Sequence, residues 1–190
     1  MKNLKFSILA AATILFATSC EKDSVPTPVN EEEVITSVVL QLTTATGATV
    51  TLKSKDIDGD GPGLPVFSQV GTVQKGTNYL GTVSFLNEQK NPAEDITVEV
   101  KAEGDEHQIF FTSPAGLGTI AYDDLDVNGK PIGLKFKLAT AATANATAQN
   151  LSVTLIHKPI KTAAGVVGGN IANAGGATDA AVTFPVVLLN

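Results

Sequence analysis

Along most of the chain apolar and polar positions alternate in short runs, separated by Gly, Pro, Asn and charged turns. Val34 to Thr43 and Ala48 to Leu52 are rich in β-branched residues and bounded by Thr-Gly turns. Tyr79 to Leu86, Ile96 to Val100, His107 to Thr112, Leu151 to His157 and Ala181 to Leu189 continue the series. A period of two puts successive side chains on opposite faces, so each run predicts a strand with one buried face. Several such runs at this spacing predict an all-β fold, an antiparallel β-sandwich of immunoglobulin-like or related type. Outside the first 19 residues no segment keeps a helical period over roughly three turns. The stretch from Ala139 to Asn150, small and polar, predicts an exposed loop or frayed strand, with a short helix as the alternative that alanine permits.

One hairpin can be argued residue by residue. Asn128-Gly129 is the strongest local turn signal. A two-residue loop would set Asp123 opposite Leu134 and mix the two faces. A three-residue loop, Val127-Asn128-Gly129 with Gly129 left-handed, sets Tyr122 opposite Leu134, Ile120 opposite Phe136 and Asp126 opposite Lys130. That register brings the apolar pairs together and is the predicted one.

The N-terminus departs from this pattern. Lys2 and Lys5 precede an uncharged stretch, Phe6 to Ala17, that ends in Thr18-Ser19-Cys20. A basic start, a short apolar stretch and small residues before a cleavage point predict a secretory signal over residues 1–19. A spanning helix needs roughly 20 apolar residues, more than this stretch supplies. Ala17-Thr18-Ser19-Cys20 resembles the lipobox, with Ala17 where Leu is common, which makes Cys20 the expected lipidation site. Acyl chains at about 0.8 kcal/mol per buried methylene would make that anchor effectively permanent. Residues 20–33 carry Pro26, Pro28 and Glu31-Glu32-Glu33, and predict a lipidated cysteine followed by a flexible tether. Residues 34–190 remain as a single β-sandwich domain, long enough to bury a core of its own. Glu21-Lys22-Asp23 resembles the acidic, lysine-containing tag of surface-directed Bacteroidota lipoproteins, and Asp23-Ser24-Val25 resembles their O-glycosylation sites. The expected location is the outer membrane, with the cell surface preferred over the periplasmic face.

Composition narrows the chemistry. With Cys20 lipidated no cysteine is left, which excludes disulfides, thiolate metal sites and thiol catalysis. The net charge is −6, and loss of the two signal lysines makes it −8. All 13 basic residues are lysine, so the surface repels phosphate and has no guanidinium fork to grip it. Nucleic acid is excluded as a partner on this ground. The absence of tryptophan and the presence of only two tyrosines argue against sugar stacking.

Three groups of residues carry candidate chemistry. Asp56, Asp58 and Asp60, followed by Gly61, alternate like the first half of a calcium loop, although the twelfth position holds Phe67 rather than a closing Glu. Asp124-Leu125-Asp126-Val127-Asn128-Gly129 has the same spacing, but the hairpin already accounts for its Asn and Gly. Glu106 and His107 with the distant His157 form the third group, since imidazole and carboxylate are the donors left to a cysteine-free domain for zinc or a similar metal. The alternatives are a polar turn for the first and a solvated loop with unrelated histidines for the third. No nucleophile elbow and no dinucleotide glycine pattern is present, Gly165-Val166-Val167-Gly168-Gly169 included, so no enzyme is expected and no catalytic residue is nominated.

Several segments together carry a family resemblance: Asp56–Gly61, Asn91–Thr97, Glu103–Gln108, Asn128–Leu134, His157-Lys158-Pro159 and Asn173–Asp179. They resemble a group of Bacteroidota lipoproteins often labelled "type 1 periplasmic binding fold superfamily protein". The label implies a two-lobed α/β architecture, whereas the alternation in this chain predicts strands. Members accompany TonB-dependent outer-membrane receptors, which implies such a receptor as a partner. The resulting expectation is a non-enzymatic binding module, accessory to uptake of a metal or nutrient, with calcium or zinc as the candidate cofactor. A structural or adhesive surface module is the first alternative and a hydrolase the second.

Overall fold

Residues 33–59, 62–143 and 147–190 are described by the computed structural model. The predicted signal segment, Cys20, the predicted tether through residue 32, Asp60 and Gly61 lie outside the described residues.

Strands β1 (Ser37–Thr44), β2 (Thr49–Lys55), β3 (Val66–Val70), β4 (Val73–Gln74), β5 (Asn78–Asn87) and β6 (Glu94–Asp95) precede one short helix, α1 (Thr97–Ala102). After it come β7 (His107–Thr112), β8 (Gly118–Tyr122), β9 (Lys135–Thr140), β10 (Gln149–His157), β11 (Ala177–Val186) and β12 (Leu188–Leu189). A seven-stranded sheet runs β3-β2-β1-β5-β9-β8, with β6 added to β5. A second sheet runs β11-β10-β7, and β12 pairs with β4 in parallel. Every other pairing is antiparallel, and the all-β sandwich predicted from the alternation is what forms.

The same period of two fills the core. Val38, Leu40 and Leu42 of β1, Val83 and Phe85 of β5, and Phe136 and Leu138 of β9 are buried together with Leu151, Val153 and Leu155 of β10. Aromatic contacts join the two sheets: Phe67 meets Phe184 edge-on at 5.8 Å, and Phe111 lies 4.7 Å from Phe136. The Phe136 ring lies over its register partner Gly81, where a Cβ would stand 2.3 Å from the ring. The other face of the second sheet buries Phe110 and Ile156 against Val166 and Ala174. Those two residues come from the segment linking β10 to β11, which roofs the sheet and leaves Gln108 fully buried.

Three local expectations fail for identifiable reasons. Ile96 to Val100 was predicted as a strand, but Thr97–Ala102 is helical. Ile96 and Val100 are buried while Val98 is 67% exposed, whereas a strand would turn all three to one side. Two residues of spacing two make four, so alternation and a helical face coincide over so short a run. Asp95 accepts a hydrogen bond from the Thr97 N–H at 3.0 Å, and the Thr97 hydroxyl takes the Phe85 N–H, which ties the helix to β5.

The hairpin tip forms as predicted, with the Asp126 N–H donating to the Lys130 carbonyl at 2.7 Å and Leu125 bridging Pro131. Farther in, the register moves by two: Tyr122 pairs with Phe136 and Ile120 with Leu138. The cause is the Ile132–Leu134 segment, which leaves the hairpin to accept from the Ile109 and Val83 N–H groups. Gly133 permits the detour with φ +96°. Finally, the loop predicted from Ala139 to Asn150 is shorter, because β9 extends through Thr140 and β10 starts at Gln149.

Candidate metal centre

His107 opens β7 and His157 closes β10, and the two are register partners across the antiparallel pair. Their side chains share the face that carries Ile109 and Leu155, so the rings meet: the centroids are 4.7 Å apart and the planes 8° from parallel. Sequence spacing alone, a separation of 50 positions, gave no register from which to infer this contact.

The third strand of the sheet contributes a carboxylate through an irregularity. Leu155 pairs with Ala180, but Ile156 pairs with Thr178, so Asp179 is an extra residue in β11. A bulge of this kind re-aims its side chain, and Asp179 Oδ2 stands 3.7 Å from His107 Nε2. Glu33, just ahead of β1, brings Oε1 to 3.5 Å from the same nitrogen. Glu103, in the turn after α1, supplies its main-chain carbonyl to His107 Nδ1 at 3.1 Å.

That last contact fixes the chemistry of the ring. A carbonyl can only accept, so Nδ1 carries the proton and the lone pair sits on Nε2. The His107 side chain is fully buried, and its Nε2 has no hydrogen-bond partner among the described residues. Burial foremost, and then the neighbouring His157, push its pKa below the ordinary imidazole value, against the Glu103 carbonyl and the Asp179 charge. Glu33 is pushed the other way, up to about 7, by burial first and then by Asp179, Glu99 and Glu103. A neutral imidazole nitrogen thus stands beside two carboxylates that repel each other.

The separations decide what could sit there. N–H···O hydrogen bonds span about 2.7–3.2 Å, so 3.5 and 3.7 Å are too long for direct bonds. Donors at about 2.0–2.2 Å from a tetrahedral ion stand roughly 3.3–3.6 Å apart, which these separations approach. Glu33, His107 and Asp179 can each place one donor atom within 4.8 Å of the others, as can Glu103, His107 and His157. A cation held by the first set would meet one nitrogen and two anionic oxygens, a donor set suited to zinc and similar divalent ions.

Of the residues nominated from sequence, His107 and His157 come together, whereas Glu106 points outward. Its Oε2 lies 3.6 Å from His157 Nε2 and 3.5 Å from Lys158 Nζ, on a side chain 48% exposed. Glu33 and Asp179 were missed. Glu33 lay in the predicted tether, and no periodicity marks the bulge that turns Asp179 inward.

The acidic loops look different. Asp58 accepts the Gly63 N–H at 2.9 Å, and that bond first of all holds its carboxyl below the usual carboxylate range. Asp56 lines a cleft of about 200 Å3 together with Asp179, Ile35 and Thr36. Asp60, the third nominated calcium ligand, lies outside the described residues. Asp124 is taken up by the N–H groups of Gly133 and Lys135, and Asp126 by Lys161, Asn128 and Lys130. The second Asp-rich spacing therefore serves the hairpin.

Compared with protein-family models, curated proteins and solved structures, the chain finds no match.

Proposed function

We propose that this chain is a membrane-anchored, non-enzymatic lipoprotein whose β-sandwich captures a divalent transition-metal ion, zinc in the first place, at His107. The observation that carries the reading is His107 Nε2: buried, free of a proton in the neutral ring whose Nδ1 donates to Glu103, and facing Glu33 and Asp179 at metal-sharing rather than hydrogen-bonding distance. Stacked His157 shields the ring from water and disfavours its protonation. A neutral imidazole beside buried carboxylates is poised for a cation, because the ligands need not shed several protons first.

The sequence features at Cys20 support lipid anchoring at the outer membrane, with display at the cell surface. The resemblance to Bacteroidota lipoproteins supports an accessory role beside a TonB-dependent receptor, to which a captured ion would be passed. Co-purification from membranes tests that partnership; a structural or adhesive module would bring no such receptor with it.

Metal capture is tested by thermal unfolding of the full-length chain in detergent, chelated and then given calcium, zinc, manganese or copper. An ion that binds only the folded state adds about 2.7 kcal/mol at a hundredfold excess over Kd. A zinc shift that vanishes in His107→Ala supports the reading. A calcium shift that survives His107→Ala and is lost in Asp58→Ala would move the site to the acidic loop. No shift with any ion would leave the structural module as the better account.

A further inference from the structure

Resting on the metal reading above, we infer that Glu33 is a ligand of the same ion, and that the ion staples the segment preceding β1 onto the end of the three-stranded sheet. Metal loading then fixes the point at which the chain toward Cys20 leaves the sandwich.

The chain is already held just downstream of Glu33. The Thr36 N–H and hydroxyl both donate to the Leu86 carbonyl, at 2.9 and 3.1 Å, and Ile35 packs against the core. Glu33 is three residues upstream of that anchor. A carboxylate left to itself belongs in water. Instead the Glu33 side chain is 11% exposed, Oε1 faces His107, and Oε2 is buried without a hydrogen-bond partner among the described residues. Beyond burial, Asp179, Glu99 and Glu103, all of its own sign, push its pKa up. While ionised, Glu33 is repelled by these groups, and a shared cation reverses the sign of each of those interactions.

The remaining donors come from regular structure. His107 and Asp179 sit on adjacent parts of one sheet, and their carriers, β7 and β11, are held by β10 between them. Glu33 alone comes from outside the sheets. Two ligands are therefore preformed and the third is delivered by the N-terminal segment, so occupancy and the position of that segment are one equilibrium. A receptor at the membrane could read the loaded state from the segment rather than from the ion.

The test is limited digestion of the full-length chain in detergent with a Glu-specific protease, with and without zinc. Cleavage after Glu32 reports on the segment, and cleavage after Glu21 serves as the internal control. Zinc is expected to slow cleavage after Glu32 roughly tenfold or more while leaving Glu21 unchanged. In Glu33→Gln that protection should disappear and the zinc midpoint should rise roughly tenfold or more. Glu33→Asp, one methylene shorter, is the second variant and should fall between the two. If zinc raises the unfolding temperature through His107 yet leaves cleavage after Glu32 unchanged, or if Glu33→Gln binds zinc like the parent, the staple is wrong and the metal site stands. If the parent binds no zinc, both fall.

Discussion

Lys161 is the residue whose loss should be felt farthest from its own position. Its ammonium is buried and donates to the Gly104 carbonyl, to the Pro131 carbonyl at 3.0 Å, and to Asp126 Oδ2 at 2.8 Å. The two charged side chains are 6% and 1% exposed, so solvent screens the pair little. Lys161→Met keeps most of the stem and removes the cation. Asp126 would keep the Asn128 and Lys130 N–H groups, at 2.8 and 2.9 Å, but two carbonyls and a buried negative charge lose their partner. Removing one member of a buried pair costs about 3–5 kcal/mol. The two surviving N–H bonds put the expectation near the lower end, about 3 kcal/mol, or a fall in Tm of roughly 6–12 °C. The double variant Asp126→Asn, Lys161→Met removes both charges, and its cost should be only about 1–2 kcal/mol. Urea unfolding of both single variants and the double gives the coupling directly. A cost below about 1 kcal/mol for Lys161→Met, or a double variant as costly as the two singles summed, would refute this account. Gly104 lies in the turn that leads into His107, so zinc binding should weaken in Lys161→Met alongside stability.

Three further outcomes are expected. Gly81→Ala places a methyl where the Phe136 ring lies and should cost about 2–3 kcal/mol by denaturant titration, while an unchanged midpoint would contradict that packing. Glu88 is held down to about 2 by hydrogen bonds from Lys53, Lys55 and Ser37, in that order. Its folded pKa lies below the unfolded value, so its contribution is complete above about 4.5 and is lost as pH falls toward 2. Discounted for partial exposure, the gap between parent and Glu88→Gln should be about 1–2 kcal/mol at neutral pH and should close near pH 2; a gap that does not narrow would exclude the ion pairs as its source. Val98→Lys should change stability by less than about 0.5 kcal/mol, whereas Val100→Lys should be severely destabilising, and equal effects would argue for a strand there.

Much of the fold was legible because alternation and burial are the same fact in a two-layer sheet: β5 and β9 show it over their whole length, β1 and β10 over most of theirs. The short strands β4 and β6 were not legible, since two residues carry no period. Nor was β3, whose residues are mostly exposed at a sheet edge. The helix at Thr97 escaped because Ile96 and Val100 satisfy both periods at once. In the site, His107 and His157 were recognisable by type, but their contact depends on the β7–β10 register, a pairing over 50 residues. Glu33 and Asp179 depend on features with no sequence period at all, a bulge and a folded-back segment.

The position of β1 has a mechanical consequence. It is the first strand after the N-terminal segment, and it lies inside the large sheet, flanked by β2 over seven pairs and by β5 over eight. Antiparallel hydrogen bonds run across the strands, so a pull along β1 from its N-terminal end strains both rows in shear and all at once. An edge strand in that position would instead unzip bond by bond. Tension applied through the N-terminal segment would therefore load the Glu33 contact with His107 first, and then a strand held in shear on both sides.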